Sequence, residues 1–97
     1  MPQVLLFVVL FSFGALRAQP TPSRTLYPNP TTGVVHLDDA RGVASLEVYN
    51  LVGRRVQSFR VAAEKTYDLS ALEPGMYLVR MLNERRRVLV TRRVQKR

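Results

Sequence analysis

From about residue 26 onward the apolar residues fall into short runs separated by turn formers. Val34-Val35-His36-Leu37 is the first run, closed by Asp38-Asp39-Ala40-Arg41-Gly42. The second, Val43–Tyr49, sets Leu46 and Val48 on one face and Ser45 and Glu47 on the other, the period of a half-buried strand. Asn50-Leu51-Val52-Gly53 reads as a hairpin connection, with Asn and Gly where the backbone needs unusual φ. Arg54–Val61 is the third strand and Ala62–Lys65 a loop. Thr66–Leu69 is a short extended piece, closed by an Asx-type turn at Asp68-Leu69-Ser70. Ser70-Ala71-Leu72 predicts one helical turn, stopped by Pro74-Gly75. Met76–Leu82 and Arg87–Val94 are the last strands, joined at Asn83-Glu84-Arg85. No window keeps a helical period over three turns. Short strands at near-regular spacing predict an all-β domain, a small antiparallel sandwich or barrel. The candidate core is Leu37, Leu46, Val48, Val56, Leu69, Leu72, Tyr77, Val79, Val88 and Val90. Tyr77 follows Pro74-Gly75, where a buried ring with its hydroxyl on a backbone group would pin the turn.

Leu26-Tyr27-Pro28-Asn29-Pro30-Thr31-Thr32-Gly33 stands apart from these runs. Each proline fixes φ near −65° and pushes the preceding residue toward extended geometry. Asn tolerates left-handed conformations and Gly adopts positive φ without steric cost. The segment is therefore a rigid, extended lead-in that turns at Thr32-Gly33 into the strand beginning at Val34.

The first residues have a different character. Val4–Phe11 is an unbroken apolar run, continued to Leu16 and ended by Arg17. That length suits the h-region of a signal peptide and falls short of a membrane span. Ala18 is the small residue expected before a cut, so residues 1–18 read as a signal peptide, residues 19–25 as a linker and residues 26–97 as the domain. The n-region, Met1-Pro2-Gln3, carries no Lys or Arg, and Leu16 is large for its place before the cut. A retained anchor and a buried strand are the competing readings.

Composition narrows the chemistry. The chain has 97 residues, no Cys and a formal charge of +8. Without Cys there is no disulfide framework, thiolate metal site or lipid-anchored cysteine. The single His, His36, sits in an alternating strand and cannot make a typical zinc site. Asp38 and Asp39 lie in a turn, Ser70 lacks a nucleophile elbow, and there is no glycine-rich phosphate loop. The inventory argues against an enzyme, a metal or a cofactor. Seven arginines crowd the end: Arg80, Arg85, Arg86, Arg87, Arg92, Arg93 and Arg97. They suit an anionic partner such as lipopolysaccharide, or simply a solvated strand face. Nucleic acid is not expected, because aromatics do not interleave with the basic residues.

Three blocks in order, Leu26–Gly33, Val48–Val56 and Tyr67–Arg80, resemble the C-terminal sorting domain of the type IX secretion system, type A. The resemblance runs from about Leu26 to Arg97. It implies an immunoglobulin-like β-sandwich that follows a signal peptide, is read by an outer-membrane translocon and is cut by a sortase-like peptidase. The cargo then passes from the periplasm to the cell surface, attached to anionic lipopolysaccharide, or to the medium. By resemblance Pro28, Asn29, Pro30 and Gly33 carry the entry motif, and Asn50, Gly53 and Val56 the hairpin motif. Leu69, Leu72, Gly75 and Tyr77 carry the next, and Val88, Val90, Val94 and Lys96 the end signal. Such domains usually follow a long passenger, whereas only residues 19–25 separate the expected cut from this one. The alternative reading is a small basic periplasmic or surface protein that binds an anionic polymer.

Overall fold

The computed structural model describes residues 23–97; the expected signal peptide lies outside them. The described residues form seven strands and no helix: β1 (Thr25–Tyr27), β2 (Val34–Asp38), β3 (Ser45–Tyr49), β4 (Arg55–Arg60), β5 (Thr66–Asp68), β6 (Gly75–Leu82) and β7 (Val88–Lys96). They make two antiparallel sheets, ordered β1-β2-β5 and β4-β3-β6-β7. The two sheets share one core, with Leu26, Val35, Tyr67 and Leu69 from the smaller side and Leu46, Val48, Val79, Met81 and Val94 from the larger. The small all-β sandwich expected from the period-2 pattern is the fold observed.

The alternation of faces predicted for β3 is observed, but the outward face is not exposed at Glu47. Leu46 and Val48 face the core as expected, but Glu47 is buried too. Three other expectations are corrected. The strand Thr25–Tyr27 lies within the stretch read as a linker and lead-in; it pairs with Leu37 through Leu26, whose buried side chain is a single apolar signal among polar neighbours. Ser70-Ala71-Leu72 is a hydrogen-bonded turn rather than a helical one, with the Leu72 amide on the Leu69 carbonyl at 3.0 Å. Val88 is 41 % exposed rather than in the core, because a register shift at Met81/Leu82 leaves it beside the hairpin end. Val94, absent from the candidate core, is fully buried.

Both hairpins of the larger sheet use one device. In the β3–β4 connection the Asn50 side-chain oxygen accepts from the amides of Val52 and Arg54 (3.1 and 2.9 Å). The Asn50 amide donates to the Arg54 carbonyl and the Gly53 amide to the Asn50 carbonyl, both at 3.0 Å. In the β6–β7 connection Asn83 repeats this pattern with Arg85, Arg86 and Arg87. The fourth position is left-handed in both, Gly53 at φ 91° and Arg86 at φ 62°. Only glycine takes that conformation without steric cost. Gly53→Val is therefore expected to cost about 1–2 kcal/mol, read as a lower urea midpoint at unchanged slope.

Tyr77 does what its position predicted. Its ring is buried and its hydroxyl donates to the Glu73 carbonyl at 2.7 Å, tying the start of β6 to the turn before it. A tyrosine bonded to backbone just upstream at a strand start is a corner device of immunoglobulin-like sandwiches. Tyr77→Phe keeps the ring and loses one hydrogen bond, so a loss of about 1 kcal/mol is expected by urea unfolding.

Candidate functional site

The Pro28-Asn29-Pro30-Thr31 segment crosses from the smaller sheet to the edge of the larger one. Both prolines follow cis peptide bonds. The Asn29 side chain then acts as a length of strand. Its Nδ2 donates to the Arg93 carbonyl at 2.8 Å and its Oδ1 accepts from the Gln95 amide at 2.9 Å. Thr31 continues the contact with its main chain, donating to the Gln95 carbonyl at 2.9 Å and accepting from the Arg97 amide at 2.8 Å, a parallel bridge. The buried Thr31 hydroxyl accepts from the Gly33 amide and donates to the Val34 carbonyl. An asparagine amide offers one donor and one acceptor, like a peptide unit. That is why Asn fits between the two prolines, neither of which has an amide to donate. The extended lead-in predicted there gives no hint of this pairing by Asn29, and a Thr in a Pro-rich segment, such as Thr31, is too common a signal to single out.

Arg92 adds a third tie, donating to the main-chain oxygens of Ser23 and Arg24 at 2.9 and 3.1 Å. The final strand is thus no free tail. It pairs with β6 along its length, buries Val94 and Lys96, and has the outer edge of its last residues occupied. The Lys96 ammonium donates to the main-chain oxygen of Arg97.

The other motif residues are dispersed. Asn50 and Gly53 form the β3–β4 hairpin. Val56 lies in the bulge where β4 shifts against Val48/Tyr49. Leu69 is buried and Leu72 half-buried against the core. Gly33 approaches Ser70, and its carbonyl accepts from the Leu69 amide at 2.9 Å. Gly75, at φ 157°, opens β6. Val90 packs on the core. These residues do not converge on one pocket; they fix turns and strand junctions.

The residues weighed for chemistry have structural partners. His36 stacks on Tyr27 with ring centres 5.3 Å apart. Asp38 accepts from the Ser23 hydroxyl at 2.7 Å. The Arg41 guanidinium bonded to Asp39 holds that carboxyl down at about 2. Asp68 accepts from the Ser70 amide at 2.8 Å, the Asx-type turn expected there, and the contact lowers its pKa. Among the described residues no three His, Asp or Glu side chains gather to hold a metal ion.

Charge is distributed unevenly. Arg55, Arg80 and Arg93 stand on the outer face of the larger sheet, where cross-strand pairing puts Arg55 opposite Tyr49, Tyr49 opposite Leu78 and Leu78 opposite Arg93. Arg80 lies 5.1 Å from the centre of the Tyr49 ring, a cation–π contact. Glu47 is the one acid among the strand residues of this sheet. It is 5 % exposed, accepts from the Tyr49 hydroxyl at 2.8 Å and pairs with Arg55 and Arg86 at 3.1 and 3.3 Å. The Tyr49 hydrogen bond, followed by the arginines, lowers its pKa against the opposing effect of burial. A depressed carboxylate adds stability that is present above its ordinary value of 4.5 and lost as pH falls through the folded value. Glu47→Gln is expected to flatten the acid limb of a stability–pH curve, while Asp39 and Asp68 maintain a residual slope.

A strand-only sandwich with its entry segment stapled to its final strand is built for shape and surface, and its motif residues serve turns. The chain matches the family described as the secretion system C-terminal sorting domain over residues 25–96 and belongs to that family. It is a type IX secretion sorting domain, a family of sorting signals rather than of enzymes. No curated protein and no solved structure matched it.

Proposed function

We propose that this domain directs export across the outer membrane by the type IX translocon, and that a sortase-like peptidase then removes it, releasing the cargo or joining it to lipopolysaccharide. The family match over nearly all described residues, down to the end of β7, carries the reading. The signal is the folded sandwich, because the motif residues lie on turns and junctions distributed around it. Deleting residues 88–97 would remove a strand of the larger sheet and buried Val94, so it would report unfolding as well as lost recognition. A better test places residues 19–97 behind a signal peptide and a reporter, in hosts with and without the translocon. Reporter should reach the surface or medium only where the translocon is present. Equal periplasmic retention in both hosts would sink the reading.

The arginines on the outer face of the larger sheet favour a second reading, binding of an anionic polymer such as lipopolysaccharide. Its mark would be salt-sensitive retention on immobilised lipopolysaccharide, abolished by charge reversal at Arg80 and Arg93, with no dependence of localisation on the translocon.

A further inference from the structure

Leu51 and Val52, at the tip of the β3–β4 hairpin, are 66 % and 86 % exposed. Isolated surface aliphatics are ordinary. This pair is not isolated: Leu51 borders an open groove of about 240 Å³ on the outer sheet face, shared with Tyr49, Leu78, Arg80 and Thr91. The turn does not ask for apolar residues. The β6–β7 hairpin has the same asparagine-centred hydrogen bonds and places Glu84 and Arg85 at the two corresponding positions. One molecule therefore holds two copies of one turn, one with a charged tip and one with an aliphatic tip beside an apolar groove.

We infer that the Leu51-Val52 tip, the Tyr49/Leu78 groove and the arginines around them form a docking surface for an acceptor protein of the secretion machinery, one offering an apolar cleft with carboxylates at its rim. This inference rests on the sorting reading. Tyr and Arg, which flank the tip here, are enriched among the residues that dominate protein interfaces. Four side-chain-to-backbone and backbone bonds already fix the tip, so little ordering is lost on docking. Arg54, Arg55, Arg80 and Arg93 set the charge of the partner. A second copy of this chain would bring the same arginines against one another, which disfavours self-association. A bilayer would cover the tip and leave the concavity beside it unfilled, whereas a protein side chain fills it.

The test uses the full chain with a reporter inserted after Pro20, in a host that has the translocon. Leu51→Ser/Val52→Ser should lower surface reporter at least about ten-fold, with the urea midpoint of the purified protein unchanged. Glu84→Leu/Arg85→Val added to that variant should not restore export, because the hollow beside the second tip is lined by Gly42, Val43 and Ala44 and has no Tyr or Arg. Wild-type export of the serine variant, or rescue by the second hairpin, would overturn the inference while leaving the sorting reading intact. Retention of the unsubstituted fusion would overturn both. Two assays on the purified chain address the other occupants: sedimentation with phosphatidylglycerol vesicles, or dimerisation, lost in the serine variant would assign the surface to membrane or to self and overturn the proposal.

Discussion

Replacing Tyr67 with alanine should strip away a large part of the domain's stability. Tyr67 belongs to β5, a three-residue strand at the edge of the smaller sheet, so backbone pairing alone holds it weakly. Its ring is 2 % exposed and the largest among the fully buried side chains. It meets Phe59 of the other sheet edge-on, with ring centres 5.3 Å apart, and its hydroxyl donates to the Glu64 carbonyl at 3.1 Å. Burial pushes that hydroxyl's pKa up, in keeping with its enclosure. Truncating a buried aromatic costs about 3–5 kcal/mol. A domain of about 75 residues has roughly 4–11 kcal/mol in total, and no disulfide holds this one. Tyr67→Phe is the control: it keeps the ring and loses one hydrogen bond, about 1 kcal/mol. Near-ultraviolet circular dichroism should lose its signal at a much lower urea concentration in Y67A than in Y67F. A folded Y67A with a midpoint near wild type would show that the two sheets are held together elsewhere.

The main strands were legible because each has one face in the core. Residues alternate along β3 and β6 with the pleat, and Asn, Gly and Pro mark the ends. Tyr77 was legible because a tyrosine just past Pro-Gly has few other uses. Two kinds of feature were not. Strand β1 has only Leu26 buried, so it offers no period to read, and it exists through pairing with β2. The burial of Glu47 was hidden because its partners, Arg55 and Arg86, arrive from a neighbouring strand and a distant hairpin. The three motif blocks marked the turns well, but their spacing says nothing of Asn29 reaching residues 64 and 66 positions away. The exposed tip at Leu51-Val52 was written plainly in the sequence. It became informative only when the Asn83 hairpin proved to have the same geometry.

Asn29→Ala should loosen the end of β7 without dissolving the core. The side chain supplies two hydrogen bonds to the strand's outer edge, each worth about 0.5–1.5 kcal/mol, so a loss of about 1–3 kcal/mol is expected. Removal leaves the Arg93 carbonyl and Gln95 amide to water, and the Thr31 bridge and the Arg92 side chain then hold the strand. The local effect should exceed the global one: amide exchange at Gln95 and Arg97 should accelerate, while Met81 and Val79 in the sheet centre follow only the fall in overall stability. Asn29→Asp separates polarity from geometry. Its carboxylate still accepts from the Gln95 amide but has no donor for the Arg93 carbonyl, and it turns a negative oxygen on that carbonyl instead. If the strand-like pairing of the amide is what matters, the aspartate variant should recover little of the loss despite the positive charge of Arg93 nearby. If attraction to the arginines is what matters, it should match or exceed wild type. An alanine variant with the wild-type urea midpoint and a still-protected Gln95 amide would mean that Thr31 and Arg92 suffice to hold the final strand.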